Sequence, residues 1–285
     1  MTARIAGDSA GKPATVAIAL GGGGARGLAH IAMLEAMDEL GVRPTAISGT
    51  SIGAVVGAAY AAGVPARGLR EHVLRQVANR PAAMSKLMKA RVGRFADLVT
   101  QRFANPVLLD AAICLDLFWP KQVPDNFEDL ATPLLVVATD FYGRREIVIR
   151  EGPLTSAVAA SMALPGLVKP VEIAGLVLID GGAVNALPYD LLAQSAAVVA
   201  AVDVTFGGRS KTRASPSPFQ AMFGAAQIMQ EAVTNQKLQM RAPDILVKPD
   251  VGDFNVLDFF KAKAIFAACG PAKDEFKRRL EATMG

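Results

Sequence analysis

The chain has 285 residues, of which 52% are hydrophobic and 20% are charged, and its formal net charge is +4. This length suits a single α/β domain with a large buried core, and the composition excludes a chain that is disordered throughout. The mild positive charge comes without a basic stripe interleaved with aromatic residues, so nucleic acid is not expected as a partner.

The longest stretches of low polarity, 54–64 and 196–202, are shorter than the ~18–20 apolar residues of a membrane-spanning helix. Residues 1–13 lack the apolar core of a secretory signal, so we expect a flexible leader on a cytoplasmic protein. Cys114 and Cys269 have neither CxxC spacing nor companion histidines, so we expect no disulfide framework and no metal site.

Apolar runs and helix-like stretches alternate along the chain. This alternation predicts an α/β domain over 14–285 with a mostly parallel sheet and helices on both faces. In such a sheet, ligands gather at the carboxyl ends of the strands, so we expect the loops after Leu20, Ser48 and Ile179 to meet there. The predicted helices are 26–40, ended by Gly41, and 52–62, and the predicted strands are 16–20, 45–48, 134–139, 146–150, 176–179, 198–202 and 245–247.

A glycine-rich loop, 21–27 (GGGGARG), follows the first predicted strand and opens into the first helix. Its unobstructed amides and the positive potential of a helix start suit an anion or a developing oxyanion, with Gly23 and Gly24 as candidate donors. The glycines also satisfy the GxGxxG pattern of dinucleotide sites, but Asp38 and Glu39 lie inside the helix and not at the end of a second strand. Arg26 either supports the loop or contacts a phosphate.

The segment Gly49-Thr50-Ser51-Ile52-Gly53 lies between the second predicted strand and the second helix. This GxSxG layout is typical of a nucleophile elbow, a sharp turn that exposes a serine hydroxyl. The flanking Gly49 and Gly53 allow the strained backbone and the close chain contacts of such a turn. The pattern therefore predicts Ser51 as a nucleophile.

The region 65–126 is helix-like and lacks clear strand signals, so we expect a helical insertion that serves as a cover or lid. Its basic cluster, Lys86, Lys89, Arg91 and Arg94, is typical of a solvated helix face. The alternative is peripheral contact with an anionic membrane. Further along, 207–218 is predicted to be an exposed loop.

A serine nucleophile needs a base, and the chain has two histidines, His30 and His72. Neither follows an acid in the order Ser, Asp, His, so a histidine triad is disfavoured. Asp180 instead ends the apolar strand 176–179 and is followed by Gly181 and Gly182, which permit a sharp turn. Partial desolvation would raise the pKa of this carboxyl from ~3.9 and make it a stronger base.

Three blocks, GGGARG at 22–27, GTSIG at 49–53 and DGG at 180–182, resemble the signature motifs of the patatin-like phospholipases in their usual order. The stretches VATD (137–140), ASMALPG (160–166) and DGGAVNALP (180–188) are similar to bacterial members of the neuropathy target esterase type. The likeness covers 16–249. One departure is Gly21, where family members often carry Asp or Ser.

The resemblance implies a serine hydrolase that cleaves acyl esters of phospholipids or lysophospholipids without a cofactor. It assigns Ser51 and Asp180 to a catalytic dyad, and Gly22, Gly23 and Gly24 to the oxyanion loop. Two alternatives remain. One is a weakly active or non-catalytic protein on the same fold that binds lipid or a regulatory partner, and the other is a dinucleotide-binding oxidoreductase.

Overall fold

The computed structural model describes residues 14–78, 91–92, 108–111, 115, 119–205, 215–216 and 218–284. The predicted leader, 1–13, and most of the predicted loop 207–218 lie outside these residues. Within the described ranges, the helices are all too short or too polar to cross a membrane.

The described strands form one large sheet and one two-stranded ribbon. In the large sheet the order is β10-β9-β1-β2-β5-β8-β7, and β6 pairs with β5 outside this path. The ribbon pairs β3 with β4. The strands are β1 (Val16–Leu20), β2 (Ile47–Thr50), β3 (Arg91–Val92), β4 (Leu108–Leu109), β5 (Leu134–Asp140), β6 (Arg145–Ile149), β7 (Val171–Ile173), β8 (Leu176–Asp180), β9 (Val198–Val202) and β10 (Ile245–Val247).

Seven α-helices lie in the described residues, together with several 3-10 turns. The helices are α1 (Ala29–Glu39), α2 (Ile52–Ala61), α3 (Ala66–Ala78), α4 (Leu154–Ser161), α5 (Pro218–Met240), α6 (Ala262–Ala268) and α7 (Gly270–Met284). The 3-10 turns are Gly24–Leu28, Phe127–Asp129, Gly181–Ala183, Tyr189–Leu192 and Phe259–Lys261.

The alternation of side chains along β1 separates two faces of the core. Ile18 and Leu20 are fully buried among residues of α1, α2, α6 and α7. Ala17 and Ala19 face the other side, where they pack with the segment Tyr189–Leu192 and the end of α5. Because every residue of β1 is buried, the strand has the continuous apolar sequence of a parallel strand covered on both faces.

Strands β10, β9, β1, β2 and β5 are mutually parallel. Leu20 of β1 pairs with Gly49 of β2, so the glycine-rich loop and the Ser51 turn leave the sheet at the same edge. The predicted α/β fold with a mostly parallel sheet and helices on both faces is confirmed.

The strand that carries Asp180 runs in the opposite direction to the expected one. Along 136–137, β5 pairs with both β2 and β6, and along 138–140 it pairs with both β6 and β8. A strand has two edges, so β2 and β8 share one edge of β5 and approach each other from opposite ends. We expected the residues after β8 to meet the other loops at the carboxyl edge of a parallel sheet. In the structure, the end of β8 instead meets the end of β2 head to head along one edge of β5.

The region 65–126 contains helix α3 and the short antiparallel strands β3 and β4. The two strands are a feature that the sequence did not reveal, because each has two residues and no detectable alternation. Most of the remaining region lies outside the described residues, including Lys86, Lys89 and Arg94. The lid and the basic membrane contact therefore stay predictions.

Candidate active site

Ser51 lies in the sharp turn between β2 and α2, at φ 56° and ψ −123°. A residue with a Cβ rarely adopts positive φ, and such strain costs about 1–3 kcal/mol. The turn is possible because its neighbours are glycines: a Cβ on Gly53 would lie 2.0 Å from the carbonyl oxygen of Leu20, and one on Gly49 would lie 2.7 Å from the backbone of Ala54. The elbow geometry predicted from GxSxG is present.

The hydroxyl of Ser51 donates a hydrogen bond of 2.6 Å to Oδ2 of Asp180. The other carboxylate oxygen, Oδ1, accepts the amide hydrogen of Gly182 at 2.7 Å. The backbone of Asp180 is also fixed, because its amide donates to Ala163 and its carbonyl accepts from Thr139 Oγ1. The structure thus brings together the serine and the carboxylate that the sequence paired.

The turn after Asp180 requires glycine at position 181 on steric grounds. A Cβ on Gly181 would lie 2.2 Å from the carbonyl oxygen of Val137, and one on Gly182 would lie 2.6 Å from the side-chain amide of Gln230. Gly181 therefore lets the chain pass close to the backbone of β5, whereas a Cβ at position 182 would meet the movable end of a side chain from α5. The short turn also carries the Gly182 amide to the carboxylate.

Burial raises the pKa of Asp180 to about 6. The side chain is 4% exposed, and desolvation disfavours its charged form. The hydrogen bonds from Ser51 and Gly182 oppose this effect without cancelling it. Asp180 is therefore a stronger base than an ordinary aspartate, and it is still ionised at neutral pH.

The glycine-rich loop lines the same cleft as Ser51, with Gly22, Gly23 and Gly24 in its wall. The Gly22 amide donates to the carbonyl of Ala186 at 2.9 Å, so this amide is occupied. Gly22 therefore lies in the loop without a free amide, and Gly23 and Gly24 stay the candidate oxyanion donors. The amides of Gly23 and Gly24 have no acceptor among the residues that the structure describes.

Arg26 is 4% exposed, and its Nε donates to the carbonyl of Gly23 at 3.3 Å. Burial lowers the pKa of this guanidinium, while Asp203 acts in the opposite direction. The contact agrees with the loop-support alternative for Arg26.

The two histidines do not line the Ser51 cleft. His30 is fully buried in α1 and its Nε2 is 2.7 Å from the carbonyl oxygen of Gly21. Burial lowers the pKa of His30 to about 4, so the ring is neutral at physiological pH and donates this hydrogen bond through Nε2. His30 therefore braces the glycine-rich loop at the position where the sequence departs from the family pattern.

Ser161, at the end of α4, is a site residue that the sequence analysis did not single out. Its hydroxyl accepts the amide hydrogen of Ser51 at 2.8 Å and donates to the carbonyl of Val137 at 2.6 Å. It is fully buried and so fixes the backbone of the strained turn against β5. The stretch ASMALPG contains this serine, but a single sequence gives no signal for its role.

Apolar side chains form most of the cleft around Ser51. Leu164, Leu167 and Val168 from the segment after α4 face Phe223 and Ala226 of α5. The half-exposed Leu257, with Val256 and Phe259, completes the wall beyond the glycine-rich loop. An apolar cleft of this kind fits a hydrocarbon chain next to the serine hydroxyl.

The fold and the site define an α/β protein in which a strained strand-to-helix turn brings a serine against a buried carboxylate, next to a glycine-rich loop. A sequence profile described as patatin-like phospholipase matches residues 18–193. The chain belongs to the patatin-like phospholipase family, as the three sequence blocks predicted.

Individual relatives agree with this assignment. An uncharacterized NTE family protein of Mycobacterium tuberculosis is 35% identical over 185 residues, which are 65% of this chain and 46% of the relative. The human patatin-like phospholipase domain-containing protein 6 is 35% identical over 196 residues, which are 67% of this chain and 13% of the relative. The chain therefore spans less than half the length of these curated relatives.

Among solved structures, VipD from Legionella pneumophila is similar with a TM-score of 0.50. The alignment covers 95% of this chain and 67% of VipD at 15% sequence identity. At this identity the likeness concerns the fold alone.

Proposed function

We propose that this protein hydrolyses acyl esters of phospholipids or lysophospholipids through a covalent acyl-enzyme. The observation that carries the proposal is the 2.6 Å hydrogen bond from Ser51 Oγ to Asp180 Oδ2 inside an apolar cleft. Family membership supports a lipid as the substrate class.

In the first half of the proposed reaction, Asp180 takes the hydroxyl proton as Ser51 Oγ attacks the ester carbonyl. The amides of Gly23 and Gly24 stabilise the negative charge that develops on the carbonyl oxygen. The tetrahedral intermediate then collapses, the ester C–O bond breaks, and the alcohol leaves with the proton held by Asp180.

In the second half, a water molecule attacks the acyl-serine while Asp180 takes a proton from it. Collapse of this second intermediate releases the fatty acid and returns the proton to Ser51 Oγ. Because Asp180 has a raised pKa, it can both accept and return the proton at neutral pH.

The test is hydrolysis of a p-nitrophenyl acyl ester and of phosphatidylcholine by Ser51→Ala and Asp180→Asn. We expect both variants to lose turnover while their circular dichroism spectra stay unchanged. The control is Ser156→Ala, which alters an exposed residue of α4. Asn185→Ser is unsuitable as a control because Asn185 contacts Asp190 and Lys237. Full activity in either Ser51→Ala or Asp180→Asn would disprove the proposed dyad.

The alternative of a non-catalytic lipid-binding or regulatory protein makes a different prediction for Ser51. A fluorophosphonate probe labels an activated serine, so labelling of the wild type and its absence in Ser51→Ala would favour the enzyme. An unlabelled wild type would favour the binding role.

The dinucleotide alternative has no structural support at the second strand. In dinucleotide sites an acid at the end of this strand binds the ribose, whereas here β2 ends at Thr50 and is followed by Ser51. Titration with NAD(P)H or a flavin is expected to show no binding.

A further inference from the structure

The N-terminal part of helix α5 exposes an unusual set of apolar side chains for a surface helix. Between positions 221 and 233, each of its exposed residues is apolar. Ile228 and Met229 are 69% and 63% exposed, and Met222 and Val233 are about half exposed. A surface helix usually directs such side chains towards the core. We call this surface the apolar face of α5, and it comprises Ala221, Met222, Ala225, Ile228, Met229, Ala232 and Val233.

Several polar residues of α5 lie on its inner side. Gln227 and Gln230 line the Ser51 cleft, and Thr234 is buried. The C-terminal half is tied down by Lys237, whose ammonium group donates to Asp190 and to the carbonyl of Leu187. The C-terminal half of the helix is thus anchored through polar contacts, while the apolar face at 221–233 stays exposed.

The apolar face continues directly into the site. Met222, Met229 and Val233 line a second cleft whose other wall includes Asp180 and Gly182. Phe223, Ala226 and Gln230 of α5 border both this cleft and the Ser51 cleft. A molecule that rests on the apolar face of α5 is therefore at the opening that leads to the reacting groups.

The charged residues of α5 limit the class of partner that its apolar face can bind. Among the 23 residues of α5, only Glu231 and Lys237 are charged, and Lys237 is neutralised by its ion pair with Asp190. An acidic or basic partner would find no complementary charge on this face. An exposed apolar surface beside an apolar cleft instead matches the surface of a lipid aggregate.

We propose that the apolar face of α5 docks on a lipid bilayer and inserts its side chains at the boundary between headgroups and acyl chains. Docking places the openings of both clefts at the lipid, so a substrate can enter without crossing water. The choice of a lipid surface rests on the proposed function. This contact differs from the one predicted for the basic cluster, because it needs no anionic lipid and persists at high salt.

The test is flotation of the full chain with vesicles of pure phosphatidylcholine at low and high salt. The Ser51→Ala background is used so that hydrolysis does not alter the vesicles. The test variant carries Ala225→Gln, Ile228→Gln and Ala232→Gln, which keep the charge and helix propensity of α5 and do not line either cleft. The control carries Ala264→Gln, Ala267→Gln and Ala282→Gln at exposed positions of α6 and α7.

We expect the Ser51→Ala chain and the control to float at both salt concentrations, and the bound fraction of the test variant to fall about tenfold. A second measurement replaces Ile228 by Trp. Its fluorescence is expected to shift to shorter wavelength with the vesicles, relative to a matched Ala267→Trp variant. This readout does not depend on removing the apolar face.

Three results would overturn the proposal. The test variant could float as well as the control, flotation could require anionic lipid and vanish at high salt, or the apolar face could join two copies of the chain. The last result would appear as a dimer in sedimentation that the test variant splits.

The proposed ester hydrolysis and the proposed docking of α5 can be disproved independently of each other. With Ser51 intact, the test variant should hydrolyse a water-soluble short-chain ester at the wild-type rate but lose activity on vesicles. If the wild type hydrolyses no ester, the proposed function fails, and flotation of Ser51→Ala still decides whether α5 docks.

Discussion

Thr50 and Asp180, the last residues of β2 and β8, lie at successive positions along one edge of β5. Thr50 pairs with Val137 and Asp180 pairs with Ala138. The two strands run towards each other, so the residue after Thr50 meets the carboxylate although 129 positions separate them. The contact between Ser51 and Asp180 is therefore set by the register of a rigid sheet, and flexible loops are not needed to align it.

The pKa of Asp180 predicts the pH dependence of ester hydrolysis. Only the ionised carboxylate can accept the serine proton, and burial raises its pKa to about 6. We expect kcat/KM for a water-soluble ester to be level above this value and to fall about tenfold for each pH unit well below it. Initial rates across the acid and neutral range measure the profile. A rate that stays level down to pH 4 would contradict Asp180 as the base.

The same buried carboxylate should lower the stability of the protein at neutral pH. Its pKa is about 6 in the folded chain, against 3.8 for an unperturbed aspartate, so the folded chain binds more protons between these values and stability falls as pH rises through them. We expect Asp180→Asn, although inactive, to be about 3 kcal/mol more stable than the wild type at pH 8.

Urea unfolding at pH 8 and near pH 4 measures this difference. At pH 4 the folded wild type has largely neutralised Asp180, so the advantage of the variant should mostly disappear. Ser156→Ala is a control that should track the wild type at both pH values. An Asp180→Asn variant that is less stable than the wild type at pH 8 would show that the ionised carboxylate holds the site together.

Gly22 and Gly23 form a matched pair that tests the oxyanion loop. A Cβ on Gly22 has its nearest neighbours at 3.6 Å, and the amide keeps its bond to Ala186. A Cβ on Gly23 would lie 2.8 Å from the carbonyl oxygen of Val204, so the loop must shift. We expect Gly23→Ala to lower kcat by about 10²–10³, the loss typical of a missing oxyanion donor, and Gly22→Ala to lower it by less than about tenfold.

Both glycine variants should fold, which circular dichroism and thermal melting can establish before rates are compared. Equal losses in the two variants would show that access to the cleft, and not the free amide, governs the effect.

The sequence predicted the parallel half of the sheet well, because β1 and β9 are buried on both faces and read as unbroken apolar runs. The turn at Ser51 was equally clear, since only glycine fits at Gly53. The direction of β8 was not clear from the sequence, because the strand LVLID has the same apolar pattern whether it pairs parallel or antiparallel. Pairing direction depends on contacts far along the chain, which periodicity does not record.

The apolar cleft wall from α5 was also missed. Between positions 221 and 233 its exposed residues are apolar, and its inner side combines Phe223 and Ala226 with Gln227 and Gln230, so hydropathy alone does not separate the two faces. Gly22 shows a further limit: its amide is bound to Ala186, a residue 164 positions away, and no local motif reports such a bond.

Ser161 gives the last prediction, because its hydroxyl joins the nucleophile turn to β5. In Ser161→Ala the amide of Ser51 and the carbonyl of Val137 both lose a buried hydrogen-bond partner. Each unsatisfied group costs about 1–3 kcal/mol, so the variant should melt at a lower temperature than the wild type. The unsupported turn should also let Ser51 relax from φ 56° and move its hydroxyl away from Asp180.

We therefore expect the rate of fluorophosphonate labelling at Ser51 to fall at least about tenfold in Ser161→Ala, because a displacement of about 1 Å at a reacting atom has effects of this size or larger. Ser156→Ala, on the exposed side of the same helix, should change neither the melting temperature nor the labelling rate. If Ser161→Ala loses stability but labels at the wild-type rate below its melting temperature, Ser161 stabilises the fold and does not position the nucleophile. A loss of labelling at temperatures where the variant is fully folded supports the positioning role.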